Sequence, residues 1–195
     1  MKKIALMMSA LAVVTTFVVI ACNQEKTKNP AKETLTGEAL VKRGEYLVSA
    51  VGCDDCHSPK IFKPEGGFDI DMTRRFSGHP SEVPVGKVDT NTYNNGWIYF
   101  ANDLTAYAGP WGISYAANIS SDSTGIGMWS EEQFIRALRK GLYKGLEGSR
   151  PLLPPMPWFV YRNFNDQDLK AIFAYLKSTK PIKNLVPQWQ KPGTF

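Results

Sequence analysis

The residues with the clearest chemical potential are two cysteines and a histidine in one short segment, Cys53-Asp54-Asp55-Cys56-His57. A C-x-x-C pair could form a redox-active disulfide, supply half of a zinc site or provide thiols for haem attachment, and the next residue separates these uses. Here that residue is a histidine, which completes the C-x-x-C-H pattern of haem attachment. The pattern therefore predicts a covalently bound haem c.

The spacing of this motif has a chemical reason. Cysteines three residues apart on a helical turn lie on one side of the chain, where both thiols can reach the vinyl groups on one porphyrin edge. His57 then lies where its imidazole can bind iron as the proximal ligand. A thioredoxin-like site would need a βαβ context and a zinc site a second ligand pair, and the sequence offers neither. With no other C-x-x-C pair in the chain, we expect one haem.

Haem iron in an electron carrier usually has a second axial ligand, and methionine together with histidine is one known solution. The candidates are Met72, Met128, Met156 and His79. Met156 lies among four prolines in residues 151–157, and prolines fix φ, so this loop can present a thioether at a set position. We predict Met156 as the distal ligand. Met128 is interpreted as a packing residue, and Met72 and His79 as parts of a polar surface loop.

Two amphipathic helices are expected at the ends of the domain. Apolar residues at helical spacing predict a helix from about Gly37 to Val51, which leads directly into the motif. A second helix begins after the capping residue Asn165 and stops before Pro181. Its apolar stripe consists of Leu169, Ile172, Phe173 and Leu176.

A third helix is expected between these two. Ser130 and Gln133 form a capping box at its start, and Gly141 suits its C-terminal end, which predicts a helix from about Glu131 to Lys140. About 70 residues, Ser58 to Gly127, separate it from the motif. A structureless loop of this length is unusual inside a compact domain.

The long segment before the middle helix contains its own signals. Asn94-Asn95-Gly96 is typical of a hairpin turn, and Trp97-Ile98-Tyr99-Phe100 after it is strand-like. We therefore expect a mainly α fold with an inserted loop and a small β element within residues 58–127.

The N-terminal end indicates export. Residues 1–21 have a basic start with two lysines and an apolar run of 18 residues, the layout of a signal peptide. The run is also just long enough for a transmembrane anchor. However, Val19-Ile20-Ala21-Cys22 resembles the lipobox of bacterial lipoproteins, whose cysteine is lipidated. We expect a lipid on Cys22, a polar tether over 22–35, and a protein held at a bacterial membrane and facing the periplasm.

Charge and composition exclude some functions. The net charge is +5, and without the two lysines of the expected signal peptide 21 basic and 18 acidic residues remain, a net charge of +3. The basic residues are scattered, so nucleic acid is not an expected partner. The hydrophobic content of 43% and charged content of 21% are those of an ordinary globular domain.

The order of helix, C-x-x-C-H motif, later helix, proline-flanked methionine and terminal helix resembles class I cytochromes c. Three phrases are similar to a single-haem subgroup of exported bacterial lipoproteins: GPWGISYAANIS, WSEEQFIRALRKG and PLLPPMPWFVYRNFNDQDLKAIFAYLKS. The resemblance covers nearly all of residues 37–186. It implies a cytochrome c fold over 36–186, in which the first and last helices cross at Gly44 and Tyr175, followed by a tail over 187–195.

The resemblance also implies roles for individual residues. Cys53 and Cys56 would attach the haem, His57 would be the proximal ligand, and Met156 the distal ligand. Pro155 is expected beside it in the haem pocket.

Other aromatic and polar residues have two readings. Trp97 and Trp111 could cover the haem edge or form the core of the insertion. Asn118 and Ser120 could bond a haem propionate or cap a local turn.

These features together predict a membrane-tethered carrier that exchanges electrons with redox protein donors and acceptors. One alternative is an electron-accepting subunit docked to a membrane dehydrogenase or oxidase. Another is a catalytic haem, in which the insertion builds a substrate pocket or moves the sixth ligand away.

Overall fold

A computed structural model describes residues 34–89, 91 and 94–194. The expected signal peptide, the lipidation site at Cys22 and the tether up to residue 33 lie outside the described residues. Within these ranges no helix combines the length and the apolar character needed to cross a bilayer.

The three helices that the sequence predicts lie close to their expected positions, whereas the short helix at residues 158–161 was not predicted. The helices described from end to end are α1 (Gly37–Ala50), α2 (Cys53–His57), α3 (Glu131–Lys140), α4 (Trp158–Tyr161) and α5 (Asp166–Ser178), with a 3-10 turn at Tyr143–Gly145. Helix α1 ends one residue before the predicted end at Val51, and α3 has the predicted bounds. Asn165 caps α5 by accepting a hydrogen bond from the Asp168 amide.

The ends of α3 follow from local chemistry. The Ser130 hydroxyl accepts a hydrogen bond from the Gln133 amide at 3.1 Å, and Gly141 ends the helix with φ at 63°, the left-handed region that favours glycine. The predicted capping box is only half formed. The Gln133 side chain donates to the Lys144 carbonyl at 2.8 Å and so ties α3 to the turn that follows.

Helices α1 and α5 make the most extensive contact between two described elements. Gly44 allows it, because a Cβ at this position would overlap the Ala171 carbonyl and lie 2.7 Å from Tyr175 Cβ. Gly44 therefore lies against both Ala171 and Tyr175 of α5. Arg43 adds a 2.9 Å ion pair to Asp168 at the edge of the contact.

The core of the helical part is apolar. Leu169 and Leu176 of α5 are 0% and 1% exposed, and full burial of such side chains contributes about 1.5–3 kcal/mol each. Helix α3 joins the core through Phe134, whose ring lies 5.2 Å from that of Phe173. Further buried members are Leu47, Val48, Phe76, Ile126, Leu138, Ala171, Ile172 and Tyr175.

All strands of the described residues lie between residues 58 and 127, so the architecture is mixed, with helices around the core. Strands β1 (Lys60–Phe62) and β2 (Phe68–Ile70) form an antiparallel hairpin. Strands β3 (Tyr99–Phe100), β4 (Ala106–Gly109) and β5 (Gly112–Tyr115) form an antiparallel sheet in that order.

The small β element is present, but the predicted hairpin at residues 94–96 is wrong. Strand β3 contains only Tyr99 and Phe100, and it pairs with β4, which follows it. The reason is burial: β4 is buried along its whole length, whereas residues 94–98 are exposed. The residues Asn94-Asn95-Gly96 favour a turn, but they do not predict which of the neighbouring segments is buried and so forms a strand.

Residues 74–79 are not the polar surface loop that the sequence suggested. Phe76, Ser77 and His79 are at most 2% exposed. His79 uses both ring nitrogens, with Nδ1 2.7 Å from the Thr105 hydroxyl and Nε2 2.9 Å from the Val83 carbonyl. Hydrogen bonds of this kind make a buried imidazole tolerable.

Two methionine interpretations have opposite outcomes. Met72 is 64% exposed, as expected for a surface loop. Met128 was interpreted as a packing residue, which is wrong, because it is 81% exposed. The neighbouring Ile126, at 2% exposure, fills the core in its place.

The C-terminal segment, residues 180–190, packs against the domain. Gln190 exchanges two backbone hydrogen bonds with Ile113 of β5, at 2.9 and 3.1 Å. Asn184 is 9% exposed and donates to the carbonyls of Ser77 and His79. Residues 180–190 are thus hydrogen-bonded to residues of the insertion.

Candidate haem site

The two motif cysteines lie on one helical turn. Helix α2 begins at Cys53 after Gly52, whose φ of 72° is left-handed and favours glycine. Cys53 and Cys56 are both free thiols, and both line the same cavity. Burial raises the pKa of Cys53 to about 12. A thiol held neutral in this way is unlike the thiolates of zinc sites and redox-active disulfides.

His57 has a defined orientation and charge. Its Nδ1 donates to the Ala117 carbonyl at 2.7 Å, so in the neutral imidazole Nε2 keeps its lone pair. Burial lowers the pKa of His57, which favours that neutral form. Ligating histidines commonly donate their second nitrogen to a carbonyl in this manner, which fixes the ring. His57 is therefore set up to bind a metal through Nε2.

Residues 78 and 79 are hydrogen-bonded to the backbone on both sides of the contact between His57 and Ala117. Gly78 donates to the His57 carbonyl at 2.8 Å, and His79 donates to the Ala116 carbonyl at 3.0 Å. A Cβ at Gly78 would lie 2.7 Å from the Ala117 oxygen, so only glycine permits this close approach.

A buried ion pair connects α2 to the rest of the domain. Asp54 accepts hydrogen bonds from the Ser58 hydroxyl at 2.7 Å and from Arg75 at 2.7 and 2.9 Å. Arg75 also donates to the Tyr175 hydroxyl of α5 at 3.0 Å. The hydrogen bond to Asp54 raises the pKa of Arg75, so the guanidinium stays charged.

Met156 reaches the same cavity from the proline-rich loop. The loop is anchored on both sides: Leu152 donates to the Gly141 carbonyl at 2.7 Å, and the Ser114 hydroxyl donates to the Pro154 carbonyl at 2.7 Å. Within the loop, the Met156 amide donates to the Leu153 carbonyl at 3.2 Å. Hydrogen bonds thus hold the loop that carries the Met156 thioether to the C-terminal cap of α3 and to β5.

The cavity that these side chains share has a volume of about 240 Å³. Most of its lining is aliphatic or aromatic, including Ile119, Ile126, Trp129, Phe134, Leu138, Leu153, Phe164, Ile172 and Leu176. Two thiols, an imidazole nitrogen and a thioether in apolar surroundings are the donor set of a haem c bound by histidine and methionine. The residues present fit that group.

The remaining predicted pocket residues have different surroundings. Asn118 and Pro155 line the cavity, whereas Trp111 is not among the lining residues, so its prediction as a pocket residue is wrong. Asn118 already has protein partners, because its amide nitrogen donates to Thr124 and to the Ile182 carbonyl and its oxygen accepts from the Ser120 amide and hydroxyl. Its hydrogen bonds hold the loop and the C-terminal segment together.

Ser120 and Trp97 are not among the cavity-lining residues. Ser120 is 0% exposed and bonds Asn118 and the Ile182 carbonyl. Trp97 is 71% exposed, so the interpretation as insertion core is wrong for this residue. Trp111 differs from it, since its indole donates to the Ser114 hydroxyl at 3.1 Å.

The sequence reasoning missed several residues of the cavity. Tyr107, Tyr161 and Trp189 line it, and burial raises the pKa of Tyr161 to about 12. The Tyr161 hydroxyl donates to the Val51 carbonyl at 3.0 Å. The Ala117 carbonyl was missed as well, and a backbone group has no sequence signal by which it could be found.

Comparisons with known proteins point to the same chemistry. The chain is 33% identical to the gluconate 2-dehydrogenase cytochrome c subunit of Pantoea cypripedii over 139 residues, which is 71% of this chain and 23% of that protein. It is 26% identical to the fructose dehydrogenase cytochrome subunit of Gluconobacter japonicus over 190 residues, 96% of this chain and 31% of that protein. It is similar to cytochrome c subunits of dehydrogenases.

A third relative is a nicotinate dehydrogenase subunit of Pseudomonas putida, 42% identical over 87 residues, which is 44% of this chain and 7% of that protein. The chain thus spans less than a third of the length of each of these relatives. No family model matches the chain.

Proposed function

We propose that the chain is a class I cytochrome c that carries electrons on one haem c. Cys53 and Cys56 hold the haem through thioether bonds, His57 is the proximal iron ligand and Met156 the distal ligand. The observation that carries this proposal is the meeting of two thiols, a lone-pair Nε2 and a thioether on one apolar cavity. When bound, the haem supplies the change between ferrous and ferric iron.

The chain's own residues supply geometry and burial. The Ala117 carbonyl fixes the His57 ring, and the anchored loop keeps Met156 in place. The apolar walls exclude water, which tunes the reduction potential. Helices α1 and α5, which meet at Gly44, are the pair that crosses in the cytochrome c fold. The protein acts as a carrier and not as a catalytic subunit.

The names of the relatives favour one specific partner class. Each names a dehydrogenase, so we propose that this chain accepts electrons from a dehydrogenase and passes them to another redox protein. Permanent docking to the dehydrogenase is the second candidate. Purification from detergent-solubilised membranes separates the two, because a docked subunit retains stoichiometric dehydrogenase activity and a free carrier loses it.

Lipidation of Cys22 would keep the carrier at a bacterial membrane on the periplasmic side. Acyl chains bind stably when more than one is present, since each buried methylene contributes about 0.8 kcal/mol. Cys22→Ser should therefore leave an uncleaved precursor or release haem-loaded protein into the soluble periplasmic fraction. Membrane attachment of this variant at the mature size would refute the lipid anchor without affecting the haem assignment.

The ligand assignment is tested in the protein made with a haem-attachment system. We expect wild type to retain one haem per chain after denaturation and to show the absorption band of a methionine sulfur bound to ferric iron. Met156→Ala should lose the band and keep the haem. Met128→Ala is the matched control, because Met128 is 81% exposed. A band that survives in Met156→Ala contradicts the distal ligand.

Carbon monoxide distinguishes a carrier from a catalytic haem. A ferrous iron with both axial ligands in place should resist carbon monoxide, so wild type should show little spectral change and Met156→Ala a large one. Rapid binding of carbon monoxide to untreated wild type would favour a catalytic site instead.

A further inference from the structure

A buried lysine lies directly beneath the motif helix. Lys60 follows α2 by three residues and is 7% exposed. Its ammonium group donates to the carbonyls of Asp54 at 3.0 Å, of Ser58 at 2.6 Å and of Asp55. These carbonyls belong to the residues that flank Cys56 and His57, so the lysine ties together the backbone on both sides of the haem-binding pair.

The contacts define the charge of Lys60. An ammonium group has three N–H donors, and Nζ has three carbonyl acceptors, whereas a neutral amine would leave one carbonyl facing a lone pair. Cations are favourable at the C-terminal end of a helix, where unpaired carbonyls concentrate negative potential. None of these three acceptors is a carboxylate. Burial lowers the pKa of Lys60, and the charges of Asp103, Asp55 and Asp54 oppose that shift.

The charge of Lys60 lies at the turn that carries the proximal ligand. Its three acceptors are the carbonyls of residues that lie one to three positions from His57 in the sequence. A cation disfavours positive charge on iron held by that ligand. Because oxidation adds one positive charge to the iron, such a cation stabilises the ferrous state.

We propose that Lys60 is a positioning residue for the haem site, which fixes the turn carrying Cys56 and His57 and raises the reduction potential through its buried charge. This inference rests on the proposed function. It assigns Lys60 two measurable effects: one on the fraction of chains that attach haem, and one on the potential of the chains that do.

The test compares Lys60→Met, which has a similar length and no charge, with Lys63→Met. Lys63 lies in the same hairpin, but its side chain is 40% exposed and pairs with Asp69 at 2.9 Å, so solvent screens it. Haem-loaded protein of each variant is titrated to its midpoint potential. We expect Lys60→Met to shift the ferrous-to-ferric ratio at fixed potential by about tenfold toward ferric, or 59 mV. Lys63→Met should shift it less than about twofold.

Two further variants keep the test decisive. Lys60→Arg retains the charge and should stay within about twofold of the wild-type ratio, which separates charge from packing. Lys60→Gln is neutral but still donates hydrogen bonds, so it provides loaded protein if Lys60→Met attaches too little haem.

The outcomes separate this inference from the proposed function. Wild type without covalent haem would refute the proposed function. Loaded wild type with equal potentials for Lys60→Gln, Lys60→Met and Lys63→Met would refute the role of Lys60 alone. A lower haem yield at unchanged potential would show that Lys60 is merely structural and would also overturn the inference.

Discussion

The helical part and the insertion bury different kinds of side chains. Helices α1, α3 and α5 meet through leucine, valine and phenylalanine side chains. Residues 58–127 bury polar side chains as well as apolar ones, and Ser58, His79, Thr105, Asn118 and Ser120 are at most 5% exposed. The same domain thus combines an apolar core with a buried hydrogen-bond network.

The difference matters for the haem site because the two kinds of contact have different requirements. Apolar contacts are non-directional and depend mainly on the area buried, whereas a hydrogen bond needs distance and angle. The Ala117 carbonyl, which orients His57, lies in the insertion beside Asn118 of this network. The helices therefore contribute apolar burial to the haem site, and the insertion contributes the group that orients His57.

The largest effect is expected in the helical part, at the point where packing leaves no space. Gly44→Val places side-chain atoms against the Ala171 backbone, which cannot move without separating α1 from α5. We expect a loss of more than about 4 kcal/mol in the free energy of unfolding, seen as failure to accumulate loaded protein. Glu45, the next residue, is exposed, so Glu45→Ala should have the same free energy of unfolding in urea as wild type. Normal accumulation of Gly44→Val would contradict the tight contact.

The sequence could predict the helical part because its signals are local. The C-x-x-C-H spacing, the Ser130 and Asn165 caps and the apolar stripes each act within a few residues of one another. The chemistry of Cys53, Cys56, His57 and Met156 is also readable from residue types and spacing, although their roles stay predictions.

The insertion was far less predictable. The burial of His79 depends on Thr105 and Val83, and the place of Trp189 depends on Trp111, whose carbonyl accepts from its indole at 2.8 Å. Such partners are distant in sequence and leave no periodic pattern. The exposure of Met128 could not be predicted from the sequence either, because a hydrophobic side chain is not necessarily in the core.

The next largest effect concerns the ion pair that joins both parts. Arg75→Met leaves the Asp54 carboxylate, whose side chain is 10% exposed, without its charged partner, which should cost about 3 kcal/mol. The matched control is Lys42→Met, because Lys42 and its partner Glu38 have side chains 71% and 80% exposed, and loss of this surface pair should cost less than about 1 kcal/mol. Urea unfolding of the loaded proteins measures both. Adding Asp54→Asn to Arg75→Met should restore part of the loss, and equal losses for Arg75→Met and Lys42→Met would refute the buried pair.

A smaller effect is expected inside the network itself. Asn118→Ala removes one hydrogen bond from the Ser120 amide and one to the Ile182 carbonyl, and at about 0.5–1.5 kcal/mol for each bond the loss should be about 1–3 kcal/mol. Asn163→Ala, with one exposed bond to the Phe159 carbonyl, should cost less than about 1 kcal/mol. Amide hydrogen exchange locates the change, which we expect at residues 118–126 and 180–190. Faster exchange confined to the helices would contradict the division into two parts.

The smallest effect should depend on pH. Hydrogen bonds from the Thr73 hydroxyl, and then from Arg74, lower the pKa of Asp71 below its ordinary value of 3.8. A lowered folded-state pKa adds stability that is fully present above the ordinary pKa and is lost as pH falls through the folded value. Asp71→Asn should therefore cost about 1 kcal/mol at pH 7, and its difference from wild type should shrink as pH falls below 3.8.

Urea unfolding between pH 7 and about pH 3 measures that convergence. Asp69→Asn is the control, because Asp69 lies on the same hairpin with 65% of its side chain exposed and should follow wild type throughout. A constant difference for Asp71→Asn at every pH would mean that Asp71 acts through its shape and not through its charge. Convergence would show that the insertion, unlike the apolar helical core, draws part of its stability from ionised groups and loosens first in acid.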